Sequence, residues 1–345
     1  MDDDWWLQGS LSMANANLAA VRNSAAVFLE GLSACTSDRR ERWTLEWITV
    51  GDRYHASAEA AFENNLRDLA IELWLSALTA FEVARQLACS ENPAGVNVSN
   101  AIERSFTALR SCAPQQVERV EIELFDRVYS VGYFCPTAHH ERPGPVAIVI
   151  SDEESSPEAV VARLLPAVNN RILSLMVVSG EDVSKHRMLK PEAFLAIWLD
   201  YLQCRPDVDA DRMAVDGEGM AASYATCIAA SDRRVAAAVC DGGLWASLRH
   251  RANVAWMTGV WDLVSESART SSLPLVHRIP CPIFIVVGGR GPLDEQNALE
   301  FKAGCKLAGW DCSVVVSQVA GEVENFVIND DLTLDWLEQK LQLRR

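Results

Sequence analysis

Of the 345 residues only 31 are lysine or arginine, against 47 aspartate or glutamate, a formal net charge of −16. Such a field repels phosphate backbones and anionic lipid surfaces, so nucleic acid and membrane surfaces are excluded as partners. The start, Met1 to Trp6, has neither a basic n-region nor an apolar h-region, and no stretch approaches the ~20 apolar residues of a membrane span. A cytoplasmic protein is the expectation. Six histidines occur without an H-x-x-x-H or H-E-x-x-H spacing, and ten cysteines without a C-x-x-C. Neither pattern offers a metal site or a cofactor, and scattered cysteines such as Cys227 and Cys240 read as small core hydrophobes.

What is present is ample apolar material. Hydrophobic residues make up 49 % of the chain, enough for a large core, and the length suits about two domains of ~150 residues. Up to Ala113 the pattern is helical. Phe62, Leu66, Leu69, Ala70, Leu73, Ala77, Phe81 and Ala84 recur at three- and four-residue steps, which predicts one amphipathic helix over 59–87. A second is expected over 99–111, capped by Asn97 or Ser99 and preceded by the breakers Pro93 and Gly95. Trp5, Trp6, Trp43, Trp47 and Trp74 are the large apolar anchors of this region.

After Pro114 the period changes. Val117 to Leu124 alternates as a half-buried strand, with 128–134 as its hairpin partner. Continuous apolar runs then recur at 146–150, 173–178, 213–215, 236–240, 283–287 and 313–316, the pattern of strands buried on both faces. Helical patterns at 157–168, 191–204, 220–230, 293–308 and 332–343 separate them. The fold class is therefore α/β, a doubly wound and mostly parallel sheet, and the domains are 1–113, all helical, and 114–345, α/β.

In such sheets ligands bind at the carboxyl ends of the strands. The most informative segment is Asp211-Arg212-Met213-Ala214-Val215-Asp216-Gly217-Glu218-Gly219-Met220-Ala221-Ala222-Ser223-Tyr224. A strand ends at Val215, a tight turn with small residues follows, and a helix begins at once. This is the layout of a nucleophile elbow, in which small neighbours let a strained turn lift a side chain over the sheet. With this segment, Tyr201 to Arg212 before it, Gly144-Pro145-Val146, Ala229 to Val235 and Cys240-Asp241-Gly242-Gly243, the chain resembles the α/β-hydrolases. Within them it resembles the branch with an N-terminal helical domain, which includes the fermentation-respiration switch esterases, 2,6-dihydroxypseudooxynicotine hydrolase and the fungal hydrolases that shorten a heptaketide. The resemblance implies a helical cap over the active-site mouth, a homodimer and a small-molecule substrate.

The family's catalytic residues do not carry over. Its serine maps to Gly219, its acid to Gly291 with Asp294 the nearest carboxylate, and its histidine to Glu324 in the loop before the final helix. The glycine pair associated with the oxyanion hole reads Ser151-Asp152. Without nucleophile and base the acyl-enzyme route is closed, although backbone N–H groups near Met220 remain available to an oxyanion. Glu324 reads either as a general acid–base group or as a solvated carboxylate. Asp152 reads as a group that binds a ligand's cation or donor, or as a helix cap. Glu218 points to structural use or to the chemistry. Ser223, one helical turn beyond Gly219, suits helix packing rather than service as a replacement nucleophile, and Tyr224 suits packing or substrate contact. His186, after the strand ending at Val178, is a candidate at the sheet's carboxyl end or a surface residue. Trp245, Trp256 and Trp261 either line a pocket for a flat apolar ligand or pack against the helical domain. Two functions stay open: an enzyme performing non-hydrolytic acid–base chemistry on a carbonyl-bearing metabolite, and an inactive binding protein.

Overall fold

The computed structural model describes residues 17–30, 37–88, 93–113, 116–124, 129–137, 143–153, 155–168, 171–185, 190–241, 279–287, 302–303, 306, 311–316 and 323–342. They fall into two compact units. One lies within Met1–Val117, with Glu158–Pro166 and Gly321–Val327; the other lies within Glu118–Pro157, Ala167–Ala320 and Ile328–Arg345.

The first unit is built on α1 (Leu18–Glu30), α2 (Ser37–Glu63), α3 (Arg67–Leu87) and α4 (Pro93–Cys112). The periodic pattern over 59–87 is thus not one helix. It breaks at Asn64–Leu66, where Asn65 adopts φ +59°, a left-handed conformation that asparagine tolerates better than most residues. Phe62, Leu66 and Leu69, expected on the apolar face, flank this turn and are exposed. The second expected helix starts earlier, at Pro93, because proline at the first helical position forfeits only an N–H that has no intrahelical acceptor. Ser99 is no cap but an interior residue donating to the Gly95 carbonyl. Trp43, Trp47, Trp74, Phe28 and Phe81 are buried, with Phe28 edge-on to Trp43 at 5.3 Å between centroids.

The second unit carries an eight-stranded sheet: β1 (Glu118–Glu123), β2 (Tyr129–Cys135), β3 (Gly144–Ile150), β4 (Ser174–Val178), β5 (Val208–Glu218), β6 (Val235–Asp241), β7 (Ile283–Val287) and β8 (Cys312–Val316). Their spatial order is β1-β2-β4-β3-β5-β6-β7-β8. The β1–β2 and β2–β4 pairs are antiparallel and the rest parallel, as the apolar runs require of strands buried on both faces. Along the chain, helices α5 (Pro157–Val168), α6 (Gly180–Lys185), α7 (Pro191–Gln203), α8 (Ala222–Ser231) and α9 (Val323–Gln342) alternate with them, most of α5 and the first turn of α9 falling in the first unit.

One face, with Ile148, Ile150, Val215 and Ala238, packs on Phe194, Leu195, Trp198 and Leu199 of α7 and Ala225 and Ile228 of α8. On the other face Phe284 of β7 stacks on Trp336 of α9 at 5.2 Å, and the Trp336 indole N–H donates to Ser313 Oγ of β8. A third device fixes the sheet's antiparallel edge. Arg205 donates to Glu118 and Asp207 while its guanidinium lies 3.8 Å from the centre of the Phe134 ring. Two expected boundaries move. β5 runs on to Glu218 rather than stopping at Val215, and α9 begins at Val323, so Glu324 belongs to the first turn of the last helix and not to a loop. The expected helix over 293–308 lies almost wholly outside the described residues. No helix among the described residues is long and apolar enough to cross a membrane.

Candidate functional site at the carboxyl ends of the central strands

β5 delivers its last residue, Glu218, opposite Asp241 of β6, and the chain then turns through a 3-10 segment, Gly219–Ala221, directly into α8. Gly219 has φ +54°, a region in which an L side chain costs ~1–2 kcal/mol. Two residues earlier, a Cβ on Gly217 would lie 2.3 Å from the Ala221 carbonyl oxygen, so only glycine lets the helix fold back this closely on its own strand. Ser223 closes the turn by donating to the Met220 carbonyl. The strand–turn–helix geometry expected of an elbow is present, with Gly219 at its apex.

The space above that apex is filled from another strand. A Cβ on Gly219 would stand 2.0 Å from Oδ2 and 2.7 Å from Cγ of Asp152, in the loop that follows β3. The loop is held from several sides. The Ser151 N–H donates to the Val178 carbonyl (3.0 Å), and Ser151 Oγ donates to the Ser155 carbonyl and accepts from the Gly180 N–H (both 3.2 Å). Gly180 itself has no room for a side chain, since its Cβ would meet the Ser151 carbonyl oxygen at 2.1 Å. From α8 the Tyr224 phenol donates to Glu153 Oε1, tying the helix's first turn to the residue after Asp152. Asp152 is half-buried, with its carboxylate against Gly219 of the elbow.

Beneath the turn lie further carboxylates. Strand alternation puts Asp216 and Glu218 of β5 on one face, and the register places Val239 and Asp241 of β6 beside them. Asp216, Glu218 and Asp241 are all buried, on the face opposite the α7–α8 packing. Cys240, on the other face, has its thiol pushed up to about 12 by burial and lies 3.4 Å from Thr226 Oγ1. Among the described residues no group of three or more histidine, cysteine, aspartate or glutamate side chains is arranged to hold a metal ion.

Of the residues singled out from sequence, Ser151, Asp152, Gly219 and Met220 meet at this junction. Tyr224 reaches its edge through Glu153, and Glu218 ends the strand that enters it. Glu324 sits on α9, in the first unit's range, and its side chain lies outside the described residues, as do Trp245, Trp256, Trp261, His186, Gly291 and Asp294. Sequence reasoning missed Glu153, Asp216 and Asp241. The signal for Asp216 was its period-2 relation to Glu218, obscured by ending the strand at Val215.

With this geometry the chain has the α/β-hydrolase fold. Solved structures share it over most of their length. The 2,6-dihydroxy-pseudo-oxynicotine hydrolase is 20 % identical, with 87 % of this chain and 88 % of that one covered at a TM-score of 0.65. Wild-type AbyA5 is 17 % identical, with 88 % and 89 % covered at 0.57. At these identities the likeness is one of fold. No protein-family profile matches the chain, and no curated protein sequence does.

Proposed function

We propose that this is an α/β-hydrolase-fold enzyme that works without a serine nucleophile. Its chemistry is non-hydrolytic acid–base catalysis (cyclisation, isomerisation, dehydration or carbon–carbon cleavage) on a small aromatic or apolar carbonyl-bearing metabolite of specialised metabolism. The observation that carries the reading is the burial of Asp216, Glu218 and Asp241 at the carboxyl ends of β5 and β6. The three stand together at the strand ends, the edge at which α/β sheets bind their ligands. Gly219 offers no atom to attack a carbonyl, so no acyl-enzyme forms there, and carboxylates are the groups left to move protons. By the family resemblance Glu324, at the histidine position, is the principal acid–base group, with Asp152 and Glu218 as further candidates. Met220, Ser151 and Tyr224, together with Trp245, Trp256, Trp261 and His186, contact the substrate.

One observation favours a second reading, an inactive ligand- or partner-binding protein: the carboxylate of Asp152 fills the apex of the elbow. Incubation with metabolites that bind, followed by mass spectrometry of the products, separates the two. The enzyme reading predicts product formation, reduced ~100-fold or more by Glu324→Gln. Binding without any product overturns it, and undiminished turnover by Glu324→Gln overturns the role of Glu324.

A further inference from the structure

We infer that Asp152 is the working group of the elbow, a general base standing where a nucleophile's side chain would stand, and that Gly219 is glycine in order to admit it. The inference rests on the acid–base reading above and narrows it to substrates that present an acidic C–H beside a carbonyl. Three observations converge. The Asp152 carboxylate overlaps the Cβ position of residue 219, at 2.0 Å from Oδ2, so carboxylate and nucleophile side chain exclude one another. The backbone that carries Asp152 is fixed by the Ser151 hydrogen bonds to Val178, Ser155 and Gly180, and by the close approach of Gly180. The next residue, Glu153, is tied to the first turn of α8 by the Tyr224 phenol. The carboxylate is thus seated against Gly219 on a backbone that is itself packed against Gly180, a placement that a side chain merely left over after loss of function has no reason to keep.

The position dictates what the carboxylate can do. A substrate lying over the elbow presents its α-carbon to Oδ2. The C–H bond breaks, the proton passes to Oδ2, and the electron pair moves into the enolate, whose oxygen gains the negative charge. Asp152 becomes neutral as the enolate becomes anionic, so the net charge at the turn is unchanged through the step. An ionised carboxylate repels an oxyanion formed by nucleophilic attack, but it does not repel one whose formation has neutralised it. This is why an aspartate here suits proton abstraction and is unsuited to acyl transfer.

The test is deuterium incorporation into phenylacetone, a small aromatic ketone, in D2O with the full-length protein, followed by proton NMR. The wild type accelerates α-proton exchange over buffer. Asp152→Asn loses ~100-fold or more of that rate. Gly219→Ala, which leaves the aspartate in the chain but occupies its seat, loses as much, and the double variant loses no more than either single one, because both remove the same contact. Circular dichroism checks that each variant is folded. No exchange above buffer by the wild type, or undiminished exchange by Asp152→Asn, overturns the inference. The metabolite screen judges the enzyme reading separately, so turnover of a metabolite that Asp152→Asn leaves intact sinks the role of Asp152 alone.

Discussion

Gly219 and Asp152 each look like a loss when considered singly. A glycine at the apex of an elbow removes the nucleophile, and an aspartate beside it puts negative charge where donors would be expected. Together they account for one another, because the carboxylate of one occupies the volume that the other leaves empty. Neither residue's pattern in the chain reveals this, since the contact joins loops after two different strands and only the parallel pairing of β3 with β5 brings them together. Burial decides reactivity at the same scale. The Cys240 thiol is pushed up to about 12 and that of Cys227 up to about 11, both chiefly by desolvation, while Cys204 is exposed. Because the thiolate is the reactive form, iodoacetamide at pH 8 is expected to label Cys204 in the native protein and to reach Cys240 only after denaturation. Peptide mapping checks it, and native labelling of Cys240 would contradict its place in the core.

Among the elements, the helical unit illustrates what periodicity conveys and what it omits. The three- and four-residue steps from Glu59 to Leu87 are real, but they run across a turn, because α2 and α3 are both amphipathic and their patterns abut at Asn65. Two asparagines were the local signal of the break. The pair packs closely at Gly51, where a Cβ would lie 2.4 Å from the Phe81 ring. Gly51→Val should therefore overpack the contact and cost ~1–3 kcal/mol in urea-unfolding stability. An unchanged midpoint would show that α2 and α3 do not meet there.

A second prediction concerns α2 and α4. His55 Nδ1 is 2.9 Å from Ser105 Oγ and Nε2 is 3.3 Å from Glu59, with Arg104 and Asp52 paired nearby. Burial, partly offset by Glu59, holds the His55 pKa below its ordinary value. A base whose folded pKa is lowered binds its proton more readily when unfolded, so stability is present above the ordinary histidine pKa and falls as pH drops toward the folded one. Between pH 7.5 and 5.5 the wild type should lose stability that His55→Gln does not. Equal pH dependence in both proteins would remove His55 from that account.

For the whole molecule, the fold was legible to the extent that burial writes itself into composition. The central strands β3, β4 and β6 are buried on both faces, and their unbroken apolar runs show it. β5 was cut short in the sequence reading because Asp216, Gly217 and Glu218 are poor strand formers. They are strand because β6 pairs with them, Asp216 opposite Val239, Gly217 opposite Cys240 and Glu218 opposite Asp241. The same tertiary override explains why the candidate site was only half visible: an elbow can be read from local spacing, whereas its occupant comes from another loop. The proposed function departs from the fold's usual chemistry in forming no serine acyl-enzyme. Intact-mass spectrometry of the wild-type protein after exposure to excess fluorophosphonate tests that claim most directly. An unchanged mass is expected, and a stoichiometric adduct mapped to a serine would contradict the proposal.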